Sequence, residues 1–507
     1  MENSTNGVTL ESGVIANPRY SKLLDVHRYS EHSAVSHLVQ PIWNKCFGQP
    51  DNADSRRGGV KPKASGLIQL RTIILDLYMA WVNDPDLSVA VTMNNTAWKT
   101  GSRYNKIGLS RQSPRIISRL HELGLIDLAA GSYAGPGAVT NRTTRIRAAG
   151  PLRRLFRDAE FGPQHVLTHP EKENIILRGA ETSQRNLEYA DTPKTERMRE
   201  DLRAYNRLLQ RTFIDVPDQE QQFIERPIKS GYRAGEMTRV PVCGFDNFVH
   251  RVFNRNDWHC GGRFYGGWWQ GVGSEFRKRI HINGQPTVEV DFEAIHVAIL
   301  ASQYGVVLES DPYVLDDGFV DGLDPLEQRK LVKTLVLIAL NAPFKSKACT
   351  AFRNNAPTGS MAKSMTNKEL FRVMDAFVEK HPFMAGDLCA DRGIALMNKD
   401  SRIAAHILRV FTRHQIPVLS VHDSFIIEYS MARRLKVGMG AAAIAALGCQ
   451  VALSQNYQGL DEVQRANPDL VDDYVQFRHR PSCPAYEVRQ RCFNERLAYL
   501  GSGGGGT

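Results

Sequence analysis

Two aspartates in this 507-residue chain stand where apolar strands end. In VEVDFEAIH, β-formers lead up to Asp291 and helical spacing follows. In VLSVHDSFIIE, two apolar arms meet at His422-Asp423-Ser424, which reads as a hairpin with a carboxylate at its bend. Side-by-side strands would bring Asp291 and Asp423 together. Buried carboxylates held close repel each other unless a cation lies between them. Mg2+ is the simplest answer, because it accepts carboxylates and completes its shell with phosphate oxygens. Two such ions about 3.5–4 Å apart activate an attacking oxygen and stabilise a leaving one. Between the acids, LEQRKLVKTLVLIALNAPF puts Arg329 and Lys333 one helical step apart, and Leu337 and Asn341 continue the stripe. A cationic stripe on a rigid helix suits a triphosphate, and a lysine there can protonate departing pyrophosphate. Alone, such a pair reads as a solvated helix face; its place between two strand-borne acids gives it the chemical reading.

The elements that must position these groups can be read around them. Residues 287–304 go from strand to helix, with Ile295, Ala298 and Ile299 at helical spacing. Upstream, HCGGRFYGGWWQGVGSEFRKRI crowds Phe264, Tyr265, Trp268 and Trp269 beside Arg263, Arg277 and Arg279. That mixture stacks bases and holds phosphates, or else forms an aromatic core edge with basic neighbours.

Farther upstream, SPRIISRLHELG reads as a helix that starts at Ser113-Pro114 and stops at Gly124. LIDLAAG and RTTRIRAA follow as strands around a Gly/Pro turn. Helix, strand, loop, strand is a winged-helix pattern. Arg111, Arg115 and Arg119 would lie on the outer helix face, and Arg142, Arg145 and Arg147 on the wing, placed for DNA. The plainer alternative is a small α/β module whose arginines face water.

Lys and Arg exceed Asp and Glu by 64 − 54 = 10, which is compatible with a polyanionic partner. No apolar run approaches the ~18 residues of a membrane span. No signal peptide is evident, and the 8 cysteines are scattered without a CxxC, so a cytoplasmic protein with reduced thiols is expected.

The order Asp in VEVDFEAIH, R-x3-K in RKLVKTLVLIALNA, then VHDS resembles motifs A, B and C of the family A DNA polymerases and the single-subunit phage-type RNA polymerases. The resemblance covers roughly residues 260–430. GGRFY precedes the first motif as a primer–template motif does, and NKDSRIAAHILRVFTRHQIPVLSVHDSF resembles the helix leading into the third.

The resemblance implies an α+β fold: a right-hand palm, an antiparallel sheet with helices, together with fingers and thumb, preceded by the winged helix. It implies Asp291 and Asp423 as metal ligands with the Phe292 carbonyl, and Mg2+ as cofactor (two ions, Mn2+ as a substitute). Arg329 and Lys333 would contact the triphosphate, with Leu337, Asn341 and His296 around the nucleotide. Arg263 and His422 would meet the primer–template, with Arg277, Arg279, Arg115, Arg119 and Arg145 along the nucleic acid. There are departures. His296 stands where the DNA enzymes have Glu, Leu337 where an aromatic often stacks, Asn341-Ala342 where Tyr-Gly is common, and Ser424 where the DNA enzymes have Glu. The sugar preference therefore stays open.

The expected layout is a flexible arm (1–62), a winged-helix domain (63–160) and a helical connector or thumb (161–245). Palm segments (246–300 and 400–440) enclose fingers (301–399), and a helical extension (441–500) and a linker remnant (501–507) follow. With no exonuclease-like acidic set upstream, the chain is most similar to the family-A-like primase-polymerases of mobile genetic elements. Partners would be DNA template and primer, nucleoside triphosphates, and a replicative helicase or small accessory protein; no membrane is implied. Two alternatives remain: a winged-helix replication initiator with a degenerate polymerase-like half, and a single-subunit RNA polymerase.

Overall fold

The computed structural model describes residues 13–48, 64–135, 138, 140–180, 185–228, 235–242 and 244–501. Cys243, most of the polar stretch after Phe47, part of the Gly/Pro turn near 137 and the tail after 501 lie outside them.

The architecture is mixed α+β with two main cores. The N-terminal core forms around the helix Ala64–Asn83, whose Leu70, Ile73, Ile74 and Leu77 are buried. A four-stranded sheet packs against it in the order Ser21–Leu23, Ser88–Val91, Thr144–Ala148, Ile126–Ala129. The helix Gln112–Glu122 buries Ile116, Ile117 and Leu120 in the same core, as its spacing predicts. It starts earlier than its sequence signals suggest. Ser113 lies inside it and donates its hydroxyl to Gln69 Oε1 at 2.9 Å rather than capping the end.

Two expectations are corrected. Residues 13–48 are not a loose arm: the helix Ser33–Phe47 packs Val35, Val39 and Ile42 into the N-terminal core. The described part of residues 161–245 is not mainly helical; among its described residues the α-helix Pro193–Gln210 stands among short strands and the hairpin Phe223–Pro227/Met237–Pro241.

The larger core holds the sheet that carries both acids. Its order is Val418–Val421, Ser424–Glu428, Gln285–Phe292, His281–Ile282, Ile214–Asp215, all paired antiparallel. Leu453–Gln455 also pairs with the end of Gln285–Phe292, so the region after 441 supplies a strand as well as helices. The helix Pro325–Asn341 starts at a capping box in which Asp324 accepts from the Glu327 amide at 2.8 Å. Its Leu331, Val332, Leu335 and Val336 fix it on the core. The helix Gly393–Arg413 runs beside the strand Asp257–Tyr265 and leads into the Asp423 hairpin. Among the described residues no helix is long and apolar enough to cross a membrane.

Candidate active site

Cross-strand register builds the site. Asp291 lies directly opposite Ser424 on one side and Ser454 on the other. Asp423 is the residue before Ser424, and its carbonyl accepts from the Phe292 amide at 3.4 Å. Both acids adjoin left-handed backbone: His422 has φ 61° and Ala294 has φ 49°. Such positions cost about 1 kcal/mol or more outside glycine and gather at functional turns. Here they turn the chain sharply beside each carboxylate.

The electrostatics follow from that proximity. Burial and then the Asp423 charge push the Asp291 carboxyl up to about 7, with Lys333 pulling the other way. Asp291 Oδ1 is buried without a hydrogen-bond partner among the described residues. A buried carboxylate oxygen facing a second acid and lacking a donor is what a divalent cation would satisfy. No cluster of three or more His, Cys, Asp or Glu side chains suited to a metal occurs among the described residues. The acids are thus a pair, and substrate oxygens would have to complete any ion's shell.

Asp291, Arg329 and Lys333 line one cleft of about 550 Å³, with Glu293, Asp311 and Ser454. Arg329 Nε donates to Asp311 Oδ2, which holds the guanidinium at the rim. The Lys333 ammonium lies 6.0 Å from the centre of the Tyr313 ring. Leu337 and Asn341 continue the helix but are not among the residues lining this cleft. Asn341 is exposed and donates to the Leu337 carbonyl at 2.8 Å.

His296 and Arg263 both engage Asp400. His296 Nε2 lies 2.9 Å from Asp400 Oδ2, and Arg263 Nε donates to both Asp400 oxygens at 3.2 and 3.1 Å. His422 is packed edge-on against Tyr265 with centroids 5.5 Å apart, and burial followed by Arg263 lowers its basicity.

The other basic candidates are scattered. Arg277 pairs bidentately with Glu289, which also accepts from Ser424 Oγ at 2.7 Å, and Arg279 pairs with Asp218. In the N-terminal unit, Arg119 donates to the Cys46 carbonyl and pairs with Glu122. Arg145 is spent on Pro18, Ser21 and Thr143 oxygens. Arg115 stays exposed, its guanidinium 5.8 Å from the Phe47 ring centre.

Sequence reading missed Asp400, Asp311 and Ser454. Each acts through a partner far away in sequence, so no local pattern marks it.

No protein-family model and no curated protein matches the chain. Among solved structures it is similar to the POL domain of Pol1 from M. smegmatis in complex with DNA primer-template and dNTP, at 15% identity and a TM-score of 0.27. The match covers 41% of this chain and 47% of that one, so the chain spans about half the length of the structure it matches.

Proposed function

We propose that the chain is a template-directed nucleotidyltransferase: a family-A-like DNA polymerase or primase-polymerase without proofreading. The observation that carries this reading is the placing of Asp291 opposite Ser424, the residue after Asp423, so that the Asp423 charge acts on a buried Asp291 with an unpartnered oxygen. Arg329 and Lys333 line one cleft with Asp291, a cleft whose lining does not include Asp423, and they supply the cations a triphosphate needs.

Asp291 and Asp423, with the Phe292 carbonyl, would hold Mg2+. When bound, a pair of such ions neutralises the acids and polarises the attacking and leaving oxygens. The chain's own residues do the rest. Arg329, aimed by Asp311, binds the β- and γ-phosphates, and Lys333 holds the proton that the departing pyrophosphate takes. Arg111, just before the Gln112–Glu122 helix, and Arg115 on it are the N-terminal side chains we assign to DNA, in keeping with a winged-helix role. Priming or short-range replication for a mobile element, beside a helicase or small accessory protein, is the setting this reading suggests.

The test is extension of a primed template with Mg2+, supplying dNTPs or NTPs, with and without primer. Wild-type protein should incorporate nucleotide and Asp423→Ala should not. Near wild-type extension by Asp423→Ala overturns the assignment. Incorporation of NTPs alone would favour the RNA polymerase alternative, which the serine at position 424 supports.

A further inference from the structure

On the side of the Ile295–Gln303 helix away from the acid cleft lies a larger groove, of about 780 Å³. Its walls are the helices Pro193–Gln210, Gly393–Arg413 and Ala432–Leu447. Six cations line it: Lys194, Arg197, Arg251, Lys399, Arg402 and Arg409. Among the described lining residues the one carboxylate is Asp201.

Arg251 is the unusual member. It is 5% exposed, yet its polar contacts are neutral: the Gly262 carbonyl at 2.8 Å and the Ser401 hydroxyl at 3.3 Å. The Phe253 and Phe264 rings flank it at 5.0 Å each. Burial, then Arg402, pushes its pKa down to about 10, with Asp201 opposing. Arg409 Nε is likewise buried without a partner. Lys399 is also shifted down, by burial and then by Arg392 and Arg402. A buried cation without an acid is costly, and cations that press on one another lack an anion.

The spacing suggests which anion. Lys399, Arg402, His406 and Arg409 follow one another at steps of three or four residues, so they form one row on their helix, about 5–6 Å apart. A row of cations at that interval can follow a string of phosphates. The large side chains of the floor, Leu202, Phe264, Ile299 and Ile403, are each at most 3% exposed, and the exposed apolar surface is that of Pro193, Ala445 and Ala446 at the edges. An amphipathic peptide helix would find few apolar pockets to fill, whereas Lys194, Arg197 and Arg402 stand exposed for a charged chain. The volume suits a few nucleotides rather than a duplex.

We propose that this groove is a second nucleic-acid track, which holds a single strand by its phosphates with Arg251 at its centre. It rests on the reading that the chain acts on nucleic acid. Of the rings that line it, Tyr205 and Phe264 are buried and the His406 imidazole is exposed, so recognition is chiefly of the backbone.

The test uses the full chain and a labelled ten-nucleotide oligothymidylate, with binding followed by fluorescence anisotropy across a salt series. Arg197→Glu/Arg402→Glu, both at exposed positions, should bind at least tenfold more weakly. It should also lower the salt slope by about 0.7 for each phosphate that is no longer neutralised. Lys368→Glu, an exposed reversal on another helix, should change little. Equal weakening by Lys368→Glu and the double variant would overturn the track, as would unchanged binding by the double variant. Equal competition by a decaglutamate peptide would assign the groove to an acidic protein segment instead. Nucleotide incorporation without oligothymidylate binding would remove the track and leave the polymerase reading standing. Binding without incorporation would do the reverse.

Discussion

Asp291 faces Ser424 across an antiparallel strand pair, and the residue preceding Ser424 is Asp423. The turn that holds Asp423 thus abuts the end of the Asp291 strand, and the Asp423 charge adds to the burial that already disfavours charge on Asp291. Removing one should relieve the repulsion. Asp423→Asn is expected to stabilise the metal-free protein by about 1 kcal/mol, the usual scale for relief of strain at an active site. Mg2+ should raise the Tm of wild type and leave that of Asp423→Asn unchanged. Differential scanning calorimetry with EDTA or with Mg2+ checks both; an equal Mg2+ shift in the two proteins would remove the ion from this site.

Asp400 is the centre of a buried cluster, accepting from Arg263 and bonded to His296. Its side chain is 2% exposed and that of Arg263 is 14% exposed. Deleting the acid leaves a buried guanidinium without its counter-ion. Asp400→Ala should cost about 3–5 kcal/mol in urea unfolding, while Arg263→Met/Asp400→Leu should recover much of that stability, because it removes both charges together. A single-variant cost below about 1 kcal/mol would show that water reaches the pair.

That cluster also marks where sequence reading stops. The strands at Asp291 and Asp423 and the helix through Arg329 and Lys333 are legible because periodicity and flanking turns are local. The Ser33–Phe47 helix is hidden by polar neighbours and by a proline inside it. The three-residue strand Leu453–Gln455 is too short to show alternation, so Ser454 beside Asp291 has no signal. Arginines are the least legible. Arg263, Arg277, Arg279 and Arg145 read as nucleic-acid contacts in a basic sequence, but each meets an acid or a carbonyl that the fold brings from elsewhere.

His281 offers a pH test away from the site. It is 4% exposed, and its Nδ1 donates to the Gly284 carbonyl at 3.2 Å. Burial lowers its pKa to about 4, below the ~6.5 of an unfolded histidine. Between those values the unfolded chain takes a proton that the folded chain refuses. Its contribution is full above pH ~6.5 and is lost as the pH falls toward 4, by on the order of 3 kcal/mol. His281→Asn keeps a donor for Gly284 but does not titrate. Its stability, from urea melts, should fall less steeply with acid, by about one proton's worth of slope. Parallel slopes would mean that His281 is protonated in the fold.

Lys333 and Arg329 should separate in kinetics because they stand differently on the helix. Arg329 is held at the rim by Asp311, where it can grip phosphates before and during reaction alike. Arg329→Gln should raise the KM for nucleotide with little change in kcat, the pattern of lost uniform binding. Lys333 acts on Asp291 electrostatically and shares its cleft, so its charge lies where charge builds up as pyrophosphate leaves. Lys333→Ala should lower kcat by about 10²–10⁴, the range for loss of a general acid. Lys333→Arg keeps the charge but is a poor proton donor near neutral pH, so it should restore KM and leave kcat low. Single-nucleotide incorporation under steady-state and rapid-quench conditions reads both constants. Full kcat in Lys333→Arg would assign the lysine to charge alone and leave the proton to solvent.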